Sequence, residues 1–277
     1  MREVVEIIEP QWVIEGAGVR LRRSIGSSSF DHLDPFLLLD HFGSTEPADY
    51  LRGFPMHPHR GIETVTYMLA GLVRHKDNLG NKGEITSGDV QWMTAGRAIL
   101  HEEMPEDLGG QMEGFQLWVN LPAKLKMNPP RYQEIKAGKI PWLNPEKGVA
   151  VRLIAGKYAN TTGPVTEIAV EPLYMDVAVD SGNSFTYQLT ENHNAFLYVF
   201  RGEGEFCGVR TQATKLLVLG KGDSVSVKAG LLGTRFLLVA GKPLEEPIVR
   251  YGPIVMNTVE EIKQTLREIR DGTFIQR

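Results

Sequence analysis

The sequence has only one cysteine among its 277 residues, Cys207, and it has no long apolar stretch. A single cysteine excludes an internal disulfide and any zinc site built from several cysteines. A membrane-spanning helix needs about 18 or more consecutive apolar residues. A signal peptide needs an apolar stretch near the N-terminus, where this chain carries acidic residues instead. We therefore expect a cytoplasmic protein without a membrane partner, in which Cys207 is a small buried residue of a strand.

Lysine and arginine form no run that could neutralise a row of phosphates. The chain has 30 Lys and Arg against 34 Asp and Glu, and its formal net charge is −4. Direct binding of nucleic acid is therefore disfavoured. The glycine-rich stretch AGRAIL at 95–100 matches neither a P-loop nor a dinucleotide fingerprint, so we predict no nucleotide cofactor. The 42% of hydrophobic residues is typical of a globular protein with a buried core.

Most of the chain shows the pattern of short β-strands. Segments rich in Val, Ile, Tyr, Phe and Thr recur between clusters of Gly, Pro, Asn and Asp, as at 62–69, 150–156 and 195–200. This pattern predicts an all-β fold.

Helical signals are convincing only near the C-terminus. Thr258 and Glu261 have the spacing of a capping box. Four apolar residues follow at helical spacing on one face: Val259, Ile262, Leu266 and Ile269. We predict one C-terminal helix that packs on a barrel.

A weak internal repeat divides the β-rich chain. Two pairs of segments show it: YMLAG at 67–71 with YVFRG at 198–202, and FQLWVNLP at 115–122 with FLLVAGKP at 236–243. A repeat of this length indicates two copies of one β unit. We therefore predict an N-terminal barrel over 1–134 and a C-terminal barrel over 143–277 that carries the helix. The proline-rich stretch 127–147 is interpreted as a semi-rigid connection.

Two pairs of potential metal ligands stand out because each pair is two residues apart. In an extended strand, His57 and His59 project from the same face, and His101 and Glu103 do the same. Two such strands can direct four ligands at one point. Imidazole nitrogens and a carboxylate oxygen suit a divalent metal at about 2.0–2.2 Å. Three His and one Glu leave open positions for substrate, dioxygen or water, which favours a reactive site over a structural one.

We interpret the other conspicuous polar residues as residues that do not bind a metal. His75 and His193 stand alone in the sequence, and His193 is predicted to be a solvated loop residue. The repeat places Gln188 and Thr190 where the first copy has its histidine pair, so we expect the C-terminal barrel to be metal-free. Glu102 is expected to point outward from the metal, either into solvent or towards an arginine such as Arg60 or Arg97.

Long segments of the chain resemble the signature segments of the pirin family. The main ones are HPHRGIETVTY at 57–67, GDVQWMTAGRAILHEEMP at 88–105, QLWVNLP at 116–122 and GPIVMNT at 252–258. The resemblance extends from DPFLLLDHF at 34–42 to the C-terminal helix. It implies two tandem cupin barrels of the double-stranded β-helix, jelly-roll type. Carried over residue by residue, it places the ligands of one Fe(II) per chain on His57, His59, His101 and Glu103. Glu102 departs from the small residue expected in the family pattern.

The resemblance implies an activity similar to quercetin 2,3-dioxygenase. Such an enzyme opens the ring of a flavonol with O2, and Glu103 would act as the base. An alternative is a non-enzymatic, iron- and redox-dependent regulator that binds a protein partner, as pirin-type transcriptional co-regulators do. A third possibility is that quercetin stands in for another aromatic or enediol substrate. The ligand set itself also suits Cu(II), Ni(II) and Zn(II). We expect a monomer, because two fused barrels can cover each other's sheet edges.

Overall fold

The computed structural model describes residues 1–275, and it is built almost entirely of β-strands. Strands β1 to β12 are Val4–Ile8, Gln11–Glu15, Val19–Ile25, Phe36–Ser44, Phe54–His59, Ile62–Ala70, Leu72–Asp77, Lys82–Thr86, Val90–Thr94, Ile99–Glu106, Met112–Asn120 and Arg131–Ile135. Strands β13 to β24 are Trp142–Glu146, Val149–Ala155, Lys157–Tyr158, Thr161–Thr162, Leu173–Val179, Ser184–Gln188, Asn194–Phe206, Val209–Gln212, Lys215–Leu219, Ser224–Gly241, Val249–Tyr251 and Ile254–Met256. Helix α1 is Val259–Arg270, and three short 3-10 helices are Pro47–Asp49, Ala123–Leu125 and Ala137–Lys139. The predicted all-β fold with a C-terminal helix is confirmed. Among the described residues, no helix has the length and apolar character needed to span a membrane.

The chain forms two compact units, here called barrel N and barrel C. Barrel N comprises residues 12–32, 36–137 and those from Leu244 onward, whereas barrel C comprises residues 1–11, 33–35 and 138–243. The change at 137–138 falls inside the connection predicted between 134 and 143. The two units are not contiguous in sequence, because each end of the chain belongs to the unit formed mainly by the other half. Strand β1 pairs with β21 and so belongs to barrel C. Helix α1 belongs to barrel N rather than to the C-terminal barrel.

The two units share one strand order, which confirms the internal repeat. Barrel N has a sheet ordered β12-β9-β6-β11-β4-β3-β2 and a second sheet ordered β5-β10-β7-β8. Barrel C is ordered β1-β21-β19-β22-β17-β14-β13, with β18 paired to β22 and β20 paired to β19. Strand β19 has 13 residues and β22 has 18. Each of these long strands takes the place in barrel C that two shorter strands take in barrel N.

The interiors of the two barrels differ in polarity. Barrel C is filled by one apolar cluster that includes Phe185, Phe206 and Phe236. In barrel N the buried apolar residues fall into separate clusters, one around Phe42 and Met68 and another around Ile62, Met93 and Ile99. Several polar side chains are also buried in barrel N: His59, Thr66, His75, Asp77, His101 and Glu103. Because buried polar groups need compensating partners, barrel N is the unit in which a site is expected.

The proline-rich stretch 127–147 is not a plain connection, which corrects the sequence interpretation. Strand β12 pairs with β9, with Tyr132 opposite Met93. Strand β13 pairs with β14, with Trp142 opposite Arg152. Both strands lie at a sheet edge, where proline is tolerated because only one side of the strand must donate to a neighbour.

Helix α1 begins with the predicted capping box. The Thr258 hydroxyl accepts from the Glu261 backbone N–H, and the Glu261 side chain accepts from the Thr258 backbone N–H. The buried face is narrower than predicted, because Ile262 and Thr265 are buried whereas Val259 and Ile269 are exposed.

A buried arginine supplies much of the contact between α1 and barrel N. Arg60 donates to the Thr265 hydroxyl at 2.8 Å and pairs with Glu268 at 2.7 Å. It also donates to the Arg97 carbonyl and lies over the Phe274 ring. These polar contacts explain why the apolar face of the helix is narrow.

We expect Thr258→Ala to lower the free energy of unfolding by about 1 kcal/mol, because it removes an N-cap hydrogen bond. Urea titration followed by circular dichroism would measure the change. Lys263→Ala is the matched control, since Lys263 is exposed in the middle of the same helix and alanine favours helix. Equal stability of the Thr258→Ala and Lys263→Ala proteins would contradict a stabilising cap.

Two single residues differ from their sequence interpretation. Cys207 is buried as expected, but it lies in the turn between β19 and β20 with a φ of 48°, not in a strand. His193 is buried in barrel C, with only 8% of its surface exposed, so the prediction of a solvated residue is wrong.

Candidate metal centre

Strand pairing brings the two predicted ligand pairs together. Strands β5 and β10 run antiparallel, with His101 directly opposite His57 and Ile99 opposite His59. Side chains alternate along each strand, so the histidines project from one face of the pair. The extended segment predicted for HPH is β5 itself, and Pro58 within it is opposite Leu100.

Three histidines form a compact cluster. One ring nitrogen from each of His57, His59 and His101 lies within 4.8 Å of the others, which is a group able to hold a metal ion. The His57 and His59 Nε2 atoms are 3.0 Å apart. The ring centroid of His101 is 4.4 Å from that of His57 and 4.9 Å from that of His59. The predicted convergence of these three residues is therefore present in the structure.

The second ring nitrogens show that the donor set fits a cation. The Nδ1 atoms of His57 and His59 lie 2.9 Å and 3.3 Å from the backbone carbonyls of Pro55 and Pro253. When each Nδ1 donates to its carbonyl, both Nε2 atoms present lone pairs to each other, which is repulsive without a cation between them. Nε2 of His101 is buried and has no hydrogen-bond partner among the described residues. A metal ion would satisfy all three atoms.

His75, which stood alone in the sequence, lies beside the cluster. Strand β7 pairs with β10 and places His75 opposite Glu103 and Asp77 opposite His101. The Nδ1 atoms of His75 and His101 are 3.5 Å apart, and His75 Nε2 lies 3.5 Å from the Asp77 carboxylate. The interpretation of His75 as an isolated residue is therefore wrong. The sequence signal that could have identified His75 is HKD at 75–77, in which His75 and Asp77 are two residues apart like the members of the two predicted ligand pairs.

Glu103 lies near the histidines but outside their 4.8 Å group. Its carboxylate is buried, and Oε1 accepts a hydrogen bond of 2.9 Å from the Thr66 hydroxyl on β6. The same hydroxyl is 2.7 Å from Oε1 of Gln116 on β11. Glu103 lines one cavity together with His57 and His59.

Burial controls the charge of the cluster. Desolvation lowers the pKa of His57, and it lowers the pKa values of His59 and His101 well below the usual value, with neighbouring histidines adding to the effect. All three are therefore neutral near pH 7, which is the form that binds metals. Desolvation raises the pKa of Glu103 to about 7, against the opposing hydrogen bond from Thr66.

The cluster opens onto a small, mostly apolar cavity of about 70 Å³. Its walls include Phe42, Tyr50, Phe54 and Trp118, and its polar lining includes the Thr66–Gln116 pair. The Trp118 ring stands edge-on to His59, with centroids 5.2 Å apart. Apolar and aromatic side chains thus make up most of the wall of the space beside His57 and His59.

Glu102 and two further histidines lie outside the cluster. The Glu102 side chain is 30% exposed, and its nearest cation is Lys76 at 3.9 Å rather than Arg60 or Arg97. His41 is buried against Glu113 at 3.0 Å. His32 is paired with Asp31 at 2.8 Å.

Comparison with known proteins gives matches along both halves of the chain. The Pirin family model matches residues 18–119, and the model described as Pirin C-terminal cupin domain matches residues 174–275. The chain is 47% identical to a Pseudomonas aeruginosa protein named "Putative quercetin 2,3-dioxygenase", over 99% of this chain and 98% of the relative. It is 42% identical to Pirin of Homo sapiens, over 93% of this chain and 89% of the relative.

Solved structures show the same fold. The chain is similar to a crystal structure of quercetin 2,3-dioxygenase from Acinetobacter baumannii, with a TM-score of 0.91 and 35% identity, covering 99% of this chain and 98% of the other. With the strand orders above, these matches confirm that barrels N and C are two tandem cupin barrels.

Proposed function

The chain belongs to the pirin family, and from that premise we propose that it is an iron-dependent dioxygenase for quercetin-like flavonols or a related aromatic or enediol substrate. The observation that carries the proposal is a neutral three-histidine cluster that opens onto an apolar cavity with a carboxyl group in its wall. A closed structural metal site would have no adjoining cavity. The names of the relatives from Pseudomonas aeruginosa and Acinetobacter baumannii support the same activity.

We assign His57, His59, His101 and Glu103 as the residues that would hold one Fe(II) per chain. The histidines supply three lone pairs from one side, and Glu103 reaches the same cavity from β10. When bound, the metal would supply Lewis-acid and redox chemistry, lowering the pKa of a substrate hydroxyl and enabling reaction with dioxygen. Cu(II), Ni(II) and Zn(II) suit the same donors, and iron is the choice that the family resemblance favours.

The protein groups around this set would orient the substrate and move its proton. Glu103 is the carboxyl group beside the histidines in the cavity wall, and it would accept the proton of a substrate hydroxyl. Thr66 holds one Glu103 oxygen by its hydrogen bond and so fixes the direction of the carboxyl group. The aromatic walls exclude water, which strengthens the electrostatic interactions inside the cavity.

We expect the metal affinity to fall as the pH drops below about 7. A metal ion that takes the Glu103 carboxylate must displace the proton that Glu103 carries below its pKa of about 7. The histidines release no proton in this range, because their pKa values are lowered. The affinity should decrease by up to about tenfold per pH unit, measured by competition with a chelator. Glu103→Gln should flatten the curve until the histidines protonate. A flat curve for the unaltered protein would contradict the expected displacement of a proton from Glu103.

The first test combines elemental analysis with an oxygen-consumption assay. Purified protein would be loaded with Fe(II) without oxygen and then mixed with quercetin and O2. We expect one metal per chain and oxygen uptake that requires the metal, with His57→Ala as the inactive control. Metal-loaded protein that consumes no oxygen with quercetin or with other flavonols and enediols would contradict the proposal.

That negative result would favour the alternative of an iron- and redox-dependent regulator. The 42% identity to human Pirin keeps this alternative open, since the same histidines would serve it. Capture of a protein partner by ferrous but not ferric protein would support it, and identical empty captures would count against it. A cytoplasmic location and a monomeric state stay predictions, which cell fractionation and light scattering would test.

A further inference from the structure

The inner cavity beside the histidines is too small for a whole flavonol. It measures about 70 Å³, whereas sites for ligands of that size usually measure roughly 300–1,000 Å³. A space of this size accommodates dioxygen, water or the edge of one ring. Most of an aromatic substrate must therefore lie outside it.

A larger groove adjoins the inner cavity. It measures about 480 Å³, and it shares His57, Trp118, Leu38 and Phe54 with the inner cavity. The shared residues form the boundary between the two spaces. A planar molecule that reaches the histidines with one edge would extend across this boundary into the groove.

Two arginines line the groove, and they differ in what they already bind. Arg23 is occupied by two carboxylates, with Nε and Nη2 donating to Asp40 at 2.8 Å and 2.7 Å and Nη1 donating to Glu15 at 2.6 Å. Among the described residues, Arg250 donates only to the backbone carbonyls of Gly252 and Leu37, at 3.2 Å and 3.4 Å. Within residues 1–275, no carboxylate lies at ion-pair distance from Arg250.

Arg250 is also held in a fixed position. Its guanidinium carbon lies 5.0 Å from the centre of the Trp118 ring, and Trp118 in turn stands edge-on to His59. Strands β23 and β24 form the short hairpin that carries Arg250. The backbone of Arg60 forms an isolated β-bridge with Ile254 of this hairpin. Because this guanidinium is already held in place, it loses little conformational entropy when its unused N–H donors bind an anion.

Resting on the proposed function, we propose that the outer groove binds the part of the substrate remote from the metal and that Arg250 selects substrates with an anionic group there. A carboxylate or an ionised phenol on an aromatic skeleton would meet the free guanidinium donors. The uncharged part of the skeleton would lie against Trp118 and Phe54. Arg250 is thus a specificity-determining residue for the reaction of barrel N.

The test compares the binding of two flavonols to Fe(II)-loaded protein without oxygen, so that no turnover occurs. One is quercetin, and the other is quercetin with a sulfonate on the ring remote from its metal-binding oxygens. Quenching of tryptophan fluorescence gives both dissociation constants. The unaltered protein should prefer the sulfonated compound by about tenfold, as expected for a charged hydrogen-bond pair. Arg250→Gln should remove this preference and change quercetin binding by less than about threefold. Arg250→Lys should keep part of it, because charge remains without the planar fork.

Arg210→Gln is the matched control, since Arg210 is an exposed arginine of barrel C. It should leave both constants unchanged. Retention of the preference in Arg250→Gln, or an equal loss for both compounds, would overturn the proposal while leaving the dioxygenase function intact. Failure of the unaltered, metal-loaded protein to bind either compound would overturn the proposed function as well.

Discussion

Replacing His101 with alanine is expected to abolish metal binding and, with it, oxygen consumption. His101 is fully buried and belongs to the three-histidine cluster, and its Nε2 atom has no hydrogen-bond partner in the described part of the chain. Loss of a residue that only supports a ligand costs about 10–100-fold in metal affinity. Loss of a ligand itself should therefore cost more than about 100-fold. Elemental analysis after dialysis and the quercetin assay would measure both effects.

His32→Ala is the matched control, because His32 pairs with Asp31 and lies outside the cluster. His101→Gln tests the same point with less loss of volume, in case the cavity left by alanine destabilises barrel N. Thermal unfolding would show whether each variant folds. A folded His101 variant that retains one tightly bound metal would disprove the assigned ligand set.

The convergence of three histidines could be predicted from the sequence because strand geometry is regular. Residues two apart project from the same face, so the spacing of His57 and His59 fixed their common direction once a strand was assumed. The repeat of YMLAG and YVFRG likewise located the central strands of both barrels. These features depend on local periodicity, which the sequence contains directly.

The rest of the site depends on contacts that local periodicity does not encode. A β-bulge between β5 and β10 shifts the register by one residue, so that Glu103 is opposite Phe54, where an uninterrupted register would place Pro55. His75 reaches His101 only because β7 pairs with the other side of β10. Helix α1 lies in barrel N, where Arg60 binds Thr265 across a separation of 205 residues. Each case is a contact between segments far apart in the sequence, and the pattern within one segment does not say which other segment it contacts.

The Glu103→Gln protein is expected to lose most of its turnover while keeping a measurable affinity for metal. Glutamine preserves the shape of the side chain, and its carbonyl oxygen can still accept the Thr66 hydrogen bond or contact a metal. It cannot accept a proton from a substrate hydroxyl, and general base catalysis typically contributes about 10²–10⁴-fold to a rate. We therefore expect oxygen consumption by the iron-loaded variant to fall at least about 100-fold at saturating quercetin.

Glu102→Gln provides a sharp comparison, because Glu102 is the adjacent carboxylate on the same strand and projects from the opposite face towards Lys76. It should retain both metal and turnover. If Glu103→Gln bound metal and kept full turnover, Glu103 would not be the base and the proton would leave by another route. If it lost metal entirely, Glu103 would be needed for metal binding, and this variant would not report on its role as a base. The expected result, metal kept and turnover lost, would make Glu103 the proton acceptor, since the other carboxyl group that lines this cavity, Asp40, is bound by Arg23 through both of its oxygens.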